Sequence, residues 1–322
     1  MKAIRFSQPG GPEVLDYVDV DLPPPAPGQV RVKHTVVGVN FIDTYHRSGL
    51  YKLPLPSGLG SEAAGVVEAL GDGVTTLRSG DRVAYAGGLG AYAEAINLPA
   101  DRLVKIPAGV SDETAAAAML KGMTAQYLLM RTYSVKPGET ILFHSAAGGV
   151  GLIAGQWAKH LGATVIGTVG SADKTDLAQA NGYAHVLNSR DAGWPKQVRE
   201  LTGGAGVPVV YDSIGKDTFA GSLDALAMRG MLVSFGNSSG AVPPFEPGIL
   251  AAKGSLYFTR PTLASYTRTA QELQETADEL FAVIASGAVR IAVHQRFRLS
   301  EARQAHEALH SRATTGATVL IP

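Results

Sequence analysis

The sequence predicts an α/β fold in two parts: a doubly wound parallel sheet of six strands, and a mostly β domain that precedes it. Three observations carry this. Residues 140–159 read as a buried strand, a glycine-rich turn and a helix. From about 124 to 258 apolar strands alternate with helical stretches, whereas before about 110 short strands are separated by proline and glycine. The chain also closes on a lone strand, Ala317-Thr318-Val319-Leu320-Ile321, which needs a sheet to join.

Taken in order, Met1-Lys2-Ala3-Ile4-Arg5-Phe6 alternates as a strand and lacks the apolar run of a signal peptide. Strands follow at 30–37, 64–70 and 81–85. Pro23-Pro24-Pro25, Gly71-Asp72-Gly73 and Gly87-Gly88 mark turns, and a partial, largely antiparallel barrel is expected. Ser111 opens an alanine-rich helix that leads to Lys121. The alternating part supplies strands at 140–144, 163–169, 184–187, 207–211, 230–235 and 254–258. A long amphipathic helix at 272–286 and a shorter one opening at Ser300 precede the last strand, which is expected to fold back onto the first domain. The boundaries that follow are 1–123 with 261–322 for a discontinuous β-rich domain, and 124–260 for the doubly wound one.

Bulk composition excludes several chemistries. The 28 basic and 28 acidic residues cancel, which argues against nucleic acid or an anionic membrane as main partner. No cysteine occurs, so disulfides, thiolate nucleophiles and cysteine–zinc sites are excluded. No apolar run approaches spanning length, and a soluble, cytoplasmic protein is expected.

Between strand and helix lies Ala146-x-Gly148-x-x-Gly151, the dinucleotide fingerprint with alanine at its first glycine. A pyrophosphate has to approach bare backbone amides at a helix N-terminus, which explains the glycines and their spacing. NAD-selective folds place an acid at the tip of the second strand, roughly 20 residues on. Here the tip reads Thr168-Val169-Gly170-Ser171-Ala172-Asp173-Lys174, small residues followed by a lysine, with the one acid late. That pattern suits a 2′-phosphate; the alternative is a solvated Lys174 in a first helical turn.

With these motifs the chain resembles the medium-chain dehydrogenase/reductase superfamily, and within it the zinc-free NADPH:quinone oxidoreductases related to ζ-crystallin, most closely the bacterial ones. The resemblance runs end to end. It is carried by Asn40-Phe41-Ile42-Asp43-Thr44-Tyr45-His46-Arg47-Ser48-Gly49, Gly58-Leu59-Gly60-Ser61-Glu62-Ala63-Ala64-Gly65, Gly80-Asp81-Arg82-Val83 and Ala146-Ala147-Gly148-Gly149-Val150-Gly151. Val210-Tyr211-Asp212-Ser213-Ile214-Gly215, Ser234-Phe235-Gly236-Asn237-Ser238-Ser239-Gly240 and Gly254-Ser255-Leu256-Tyr257-Phe258-Thr259-Arg260-Pro261 complete it. It implies a GroES-like catalytic domain beside an NADPH-binding Rossmann domain, a cleft between them, and a homodimer in which residues 251–258 form a candidate pairing edge.

Zinc-dependent members carry Gly-His-Glu where this chain has Gly60-Ser61-Glu62, so a histidine ligand is replaced by serine. The eight histidines are scattered, and the one pair at helical spacing, His306 and His310, reads as a solvated helix face. No metal is expected.

The resemblance implies Asn40, Asp43 and Tyr45 at the reaction centre. It implies Phe41, Ile42, Asp43, Thr124, Tyr127, Gly148, Gly149, Val150, Gly170, Ser171, Lys174, Ser189, Phe235, Asn237, Ser238, Phe258, Arg260 and Arg312 at the cofactor. Turn formation is the alternative for Asn40 and Asp43, packing for Tyr45 and Tyr127, and a helix cap for Arg312. Ser189 stands where close relatives have a tyrosine, with Arg190 next to it, which loosens the expected preference for NADPH. Quinone reduction by hydride transfer is the implied activity, with Tyr45, Asn40 or a water as proton source. An alkenal or enone C=C reductase is the rival enzyme, and an NADPH-binding crystallin-like or RNA-binding protein the rival of another class.

Overall fold

The computed structural model describes residues 1–311 and 314–322. Two compact units emerge: residues 1–123, 267–285 and 291–322 in the first, and 124–266 with 286–290 in the second.

The first unit contains β1 (Lys2–Phe6), β2 (Asp16–Asp19), β3 (Gln29–Val39), α1 (Phe41–Ser48), β4 (Ser57–Gly58), β5 (Glu62–Leu70), β6 (Arg82–Ala86), β7 (Ala95–Pro99) and β8 (Val104–Lys105). Helix α2 (Asp112–Gln126) begins here, capped by the Ser111 hydroxyl, which accepts from the Thr114 N–H at 3.0 Å. A small antiparallel sheet runs β2-β1-β4, and β7 pairs β3 outside the main path of a larger sheet.

The second unit holds β9 (Thr140–Phe143), α3 (Gly149–His160), β10 (Thr164–Val169), α4 (Thr175–Ala180), β11 (Tyr183–Asn188), α5 (Trp194–Leu201), β12 (Val207–Asp212), α6 (Phe219–Ala225), β13 (Leu226–Ser234), α7 (Gly248–Ala252), β14 (Tyr257–Thr259) and α8 (Leu263–Tyr266). Its strands form one parallel sheet in the order β11-β10-β9-β12-β13-β14. The six strands are those expected, with two boundary shifts. Strand β13 starts at Leu226, paired with Val207, and is kinked at Arg229, whose φ is 60°. Strand β14 starts only at Tyr257, after Gly254 (φ 114°) and Ser255 (φ 56°) take left-handed conformations in succession and interrupt the extended run. The unit continues to Tyr266, whose ring stacks on Tyr127 at 4.6 Å.

The tail returns to the first unit as α9 (Ala270–Ala285), β15 (Val293–Arg298), α10 (Ala302–His310) and β16 (Ala317–Ile321). The large sheet therefore runs β15-β16-β3-β5-β6-β8, with β16 antiparallel to β3 through Thr318 and Val39. Among its core residues are Phe6, Val32, Leu59, Val83, Tyr92 and Leu320. The second unit's core is separate, built on Leu142, Ile166, Trp194, Val210, Leu223 and Leu232. Each such buried side chain contributes roughly 1.5–3 kcal/mol of transfer free energy. Among the described residues no helix is long and apolar enough to cross a membrane.

Candidate functional site

In the parallel sheet the chain leaves β9 toward β10 on one side, while β12 returns on the other, so strand order reverses between β9 and β12. Loops diverge at the carboxyl ends of these two strands and leave a crevice, the place where doubly wound sheets bind ligands. Most expected cofactor positions of this unit follow a carboxyl end: Gly148, Gly149 and Val150 after β9, Gly170, Ser171 and Lys174 after β10, Ser189 after β11. Phe235, Asn237 and Ser238 follow β13, and Arg260 follows β14.

The turn after β9 is tightly built. Ser145 takes φ 56°, unusual for a residue with a side chain, and its carbonyl accepts from the Gly148 N–H at 2.9 Å. A Cβ at Gly151 would stand 2.2 Å from the Ser145 carbonyl oxygen and 2.7 Å from that of Ala146, so only glycine lets α3 start this close to the strand. The Tyr183 hydroxyl donates to the Gly151 carbonyl at 2.7 Å and holds the first turn in place. Gly148 is the N-cap of α3 and no side chain caps it, so the first-turn amides and the positive end of the helix remain available to an anion.

Ser171 precedes a short 3-10 turn (Ala172–Lys174), and its hydroxyl bonds the exposed Asp173 carboxylate, holding that carboxyl below its usual range. Lys174 is half-buried beside them, and the Ser189 hydroxyl donates to the Val169 carbonyl at 3.2 Å. Beyond β13, Phe235 donates its N–H to the Asp212 carbonyl at 2.8 Å and Ser238 its N–H to that of Ser213 at 3.2 Å. Arg260 donates to the Ser234 carbonyl at 3.0 Å. The Ser234 hydroxyl is buried and has no hydrogen-bond partner among the described residues, an unsatisfied donor at the same sheet edge. Phe258 instead packs within β14 against Phe219 and Phe245, with ring centroids 6.1 and 5.3 Å away. Thr124 lies near the end of α2, and Tyr127 opens a π-helical turn in which burial pushes its hydroxyl pKa up. Arg312 lies outside the described residues.

A buried polar network underlies this edge and was not legible in the sequence. Asp212 accepts from the Ile214 and Gly215 N–H groups on one oxygen, and from the Thr218 and Ser222 hydroxyls on the other. Since Ser222 spends its proton there, its oxygen takes the His144 Nε2–H at 3.0 Å, and Thr168 donates to Nδ1 at 2.8 Å. Burial pushes the His144 pKa down, consistent with a neutral ring.

In the first unit, Asn40 caps α1 and the residues from Phe41 onward form the helix itself. Phe41 and Ile42 are half-buried, and Tyr45 is buried with its ring edge-on to Tyr51 at 5.2 Å. Asp43 is wholly buried. Its Oδ2 accepts from the Asn40 N–H at 2.8 Å and the Tyr92 hydroxyl at 3.0 Å, and its Oδ1 from the Ser61 hydroxyl at 3.3 Å. Burial raises its carboxyl pKa to about 7. Ser61, at the position of the lost histidine, is thus engaged with Asp43. The Asn40 side chain donates to Glu62 at 2.9 Å, and Lys121 forms a buried ion pair with the same carboxylate.

One expectation fails. His306 is not on a solvated face: it is fully buried, 2.9 Å from an Arg47 nitrogen and 3.1 Å from the Tyr92 hydroxyl, because α10 packs on α1. Among the described residues no group of three or more metal-capable side chains converges.

Comparison with known proteins agrees with this architecture. Residues 26–108 match the alcohol dehydrogenase GroES-like domain, and residues 149–282 match the zinc-binding dehydrogenase family. A quinone oxidoreductase of Pseudomonas aeruginosa is 56% identical over 100% of this chain and 99% of its own length. A 2-haloacrylate reductase of Burkholderia is 45% identical over 97% of this chain and 96% of its own. The crystal structure of Escherichia coli quinone oxidoreductase complexed with NADPH superposes with a TM-score of 0.98 at 52% identity, covering 100% of both chains.

Proposed function

The chain belongs to the quinone oxidoreductase family of the medium-chain dehydrogenases/reductases, and from that membership we propose that it reduces quinones with NADPH. The observation that carries the reading is the uncapped, glycine-lined N-terminus of α3 at the reversal of strand order, in a chain that matches an NADPH-complexed relative end to end. The unsatisfied Ser234 hydroxyl at the same edge fits a ligand that brings a hydrogen-bond partner.

On this reading Gly148, Gly149 and Val150 bind the pyrophosphate through backbone N–H groups. Gly170, Ser171, Lys174 and Ser189 serve the adenosine phosphate. An incoming 2′-phosphate competes with Asp173 for Ser171 and Lys174, which sets the strength of NADPH preference. Phe235, Asn237, Ser238, Arg260, Thr124, Tyr127 and Arg312 are assigned to the rest of the cofactor, together with Phe41 and Ile42; the packing of Phe258 suits support of that wall. The cofactor supplies the hydride, and the chain supplies orientation and electrostatics. Asn40 and Tyr45 are the groups proposed to meet the quinone. Asp43, with both oxygens engaged, is assigned to holding α1. No zinc is required: the chain has no cysteine, and Ser61 serves Asp43.

The reading includes a cytoplasmic homodimer. Its support is the outer edge of β14, which pairs no strand among the described residues, with Tyr257 59% and Met228 80% exposed beside it. Light scattering on the purified protein tests the dimer.

The identity to a 2-haloacrylate reductase favours one second reading, reduction of an activated C=C bond. Chelator-treated protein with NADPH or NADH, and either 1,4-benzoquinone or a 2-alkenal, separates the two. Quinone-dependent NADPH oxidation that survives chelation is expected. Faster turnover of the alkenal would overturn the choice.

A further inference from the structure

Glu62 opens β5 with its carboxylate fully buried, and three donors converge on it. Asn40 Nδ2 and Lys121 Nζ donate to Oε1, and the Leu120 N–H donates to Oε2 at 2.6 Å. Asn40 is 6% exposed and Lys121 5%. Space for the carboxylate is built in: a Cβ at Gly38, on the neighbouring strand β3, would stand 2.1 Å from Glu62 Oε1. A buried ion pair of this kind adds little net stability over a well-packed apolar pair, so stability alone does not account for it.

The chemistry of the amide does account for it. The two ends of an asparagine amide are nearly equal in shape and opposite in hydrogen bonding. A carboxylate paired with an ammonium offers acceptors only, so the end facing Glu62 has to be Nδ2, and Oδ1 is left as the acceptor of the α1 capping box, beside the Asp43 N–H, and for a ligand. We propose that the buried Glu62–Lys121 pair is a positioning device for Asn40, locking its amide so that Asn40 meets its ligand with Oδ1 as a hydrogen-bond acceptor. Asn40 then holds a ligand N–H or O–H, and the proton that completes reduction comes from another group. Glu62 and Lys121 act through Asn40 and touch no reactant.

The kinetic arm of the test rests on the quinone-reductase reading; the spectroscopic arm does not. In protein carrying isotope-labelled asparagine and no nucleotide, the Asn40 side-chain amide signal, identified by its loss in Asn40→Ala, should show slow hydrogen exchange. The double variant Glu62→Met/Lys121→Met should abolish that protection, because an apolar pair no longer tells the two ends of the Asn40 amide apart. Unchanged protection would overturn the proposal, whatever the wild type turns over. In turnover, the same double variant should lower kcat about tenfold with the NADPH Michaelis constant within about twofold, roughly one hydrogen bond's worth. In an Asn40→Ala background the same two substitutions should have no further effect. Losses that multiply would show that Glu62 acts independently of Asn40. This variant keeps an apolar core in place of the pair, so a loss of folding does not stand in for a loss of the lock. It should keep the wild-type Tm and lose both amide protection and kcat; full activity at full stability would overturn the proposal. A wild type with a protected amide and no quinone turnover would count against the function and leave the lock standing.

Discussion

His306 Nε2 lies 3.1 Å from the Tyr92 hydroxyl, and that contact completes a directed chain of buried hydrogen bonds. Arginine only donates, so an Arg47 N–H donates a hydrogen bond to His306 Nδ1. The Nε2–H then faces the Tyr92 oxygen, and Tyr92 donates to Asp43. Burial and the Arg47 charge push the His306 pKa down to about 3, which keeps the ring neutral as the chain requires. A residue from the far end of the sequence thereby orients the carboxylate that caps α1.

Tyr92→Phe breaks this chain at its centre, leaving a buried His306 N–H unpaired and Asp43 short of one donor. The expected loss is about 1–3 kcal/mol of unfolding free energy. Urea denaturation should show a lower midpoint with an unchanged slope. Unaltered stability would mean the contacts carry no net energy.

Asp43 makes stability depend on pH in a direction opposite to most carboxylates. Its folded pKa of about 7 lies above the ordinary 3.8. Below 3.8 the carboxyl is protonated in both states and burial costs no charge. Between 3.8 and about 7 the folded protein binds more protons than the unfolded chain, so this residue's contribution falls as pH rises. Asp43→Asn keeps an acceptor for Asn40 and Tyr92 and can donate to Ser61. It should gain on the wild type between pH 4 and 7, by on the order of 4 kcal/mol at most. Parallel melts across that range measure the difference; a constant difference would rule out titration of Asp43.

Gly151→Ala drives a methyl group into two carbonyl oxygens. About 1–3 kcal/mol of stability should be lost, with weaker NADPH binding as α3 withdraws from β9. Gly170→Ala is the control, since a Cβ there meets nothing within 4 Å. Calorimetry on both should show a drop in Tm for the first alone.

Lys174→Ala should raise the Michaelis constant for NADPH roughly 10- to 100-fold, the loss of one charge-assisted contact, and leave that for NADH nearly unchanged. Initial rates with both nucleotides decide it. Equal effects on the two would show that Lys174 does not read the 2′-phosphate.

Local patterns account for what was legible beforehand. The strand–turn–helix around Gly148 and Gly151 was readable because backbone crowding excludes side chains there, and that constraint is written at fixed spacing. The six strands of the second unit showed as short apolar runs because both faces of a parallel sheet are covered. Boundaries failed where single residues take left-handed conformations, as at Arg229 and Ser255, since neither residue type announces a positive φ.

Asp43 and His306 show where local reading ends. A turn aspartate and a helical histidine each look ordinary, and only the packing of α10 against α1 makes them ends of one buried network. Glu62 with Lys121, and Asp212 with His144, are the same kind of case: groups far apart in the chain whose roles depend on desolvation. Fold class and the dinucleotide turn were readable from the chain alone, because they depend on periodicity and on backbone sterics within a few residues, and the ordered motifs carried the resemblance to the family. The tertiary structure alone decided which polar side chains are buried, what they bind and which way their protons point, because burial and hydrogen-bond partnership are set by contacts between distant segments.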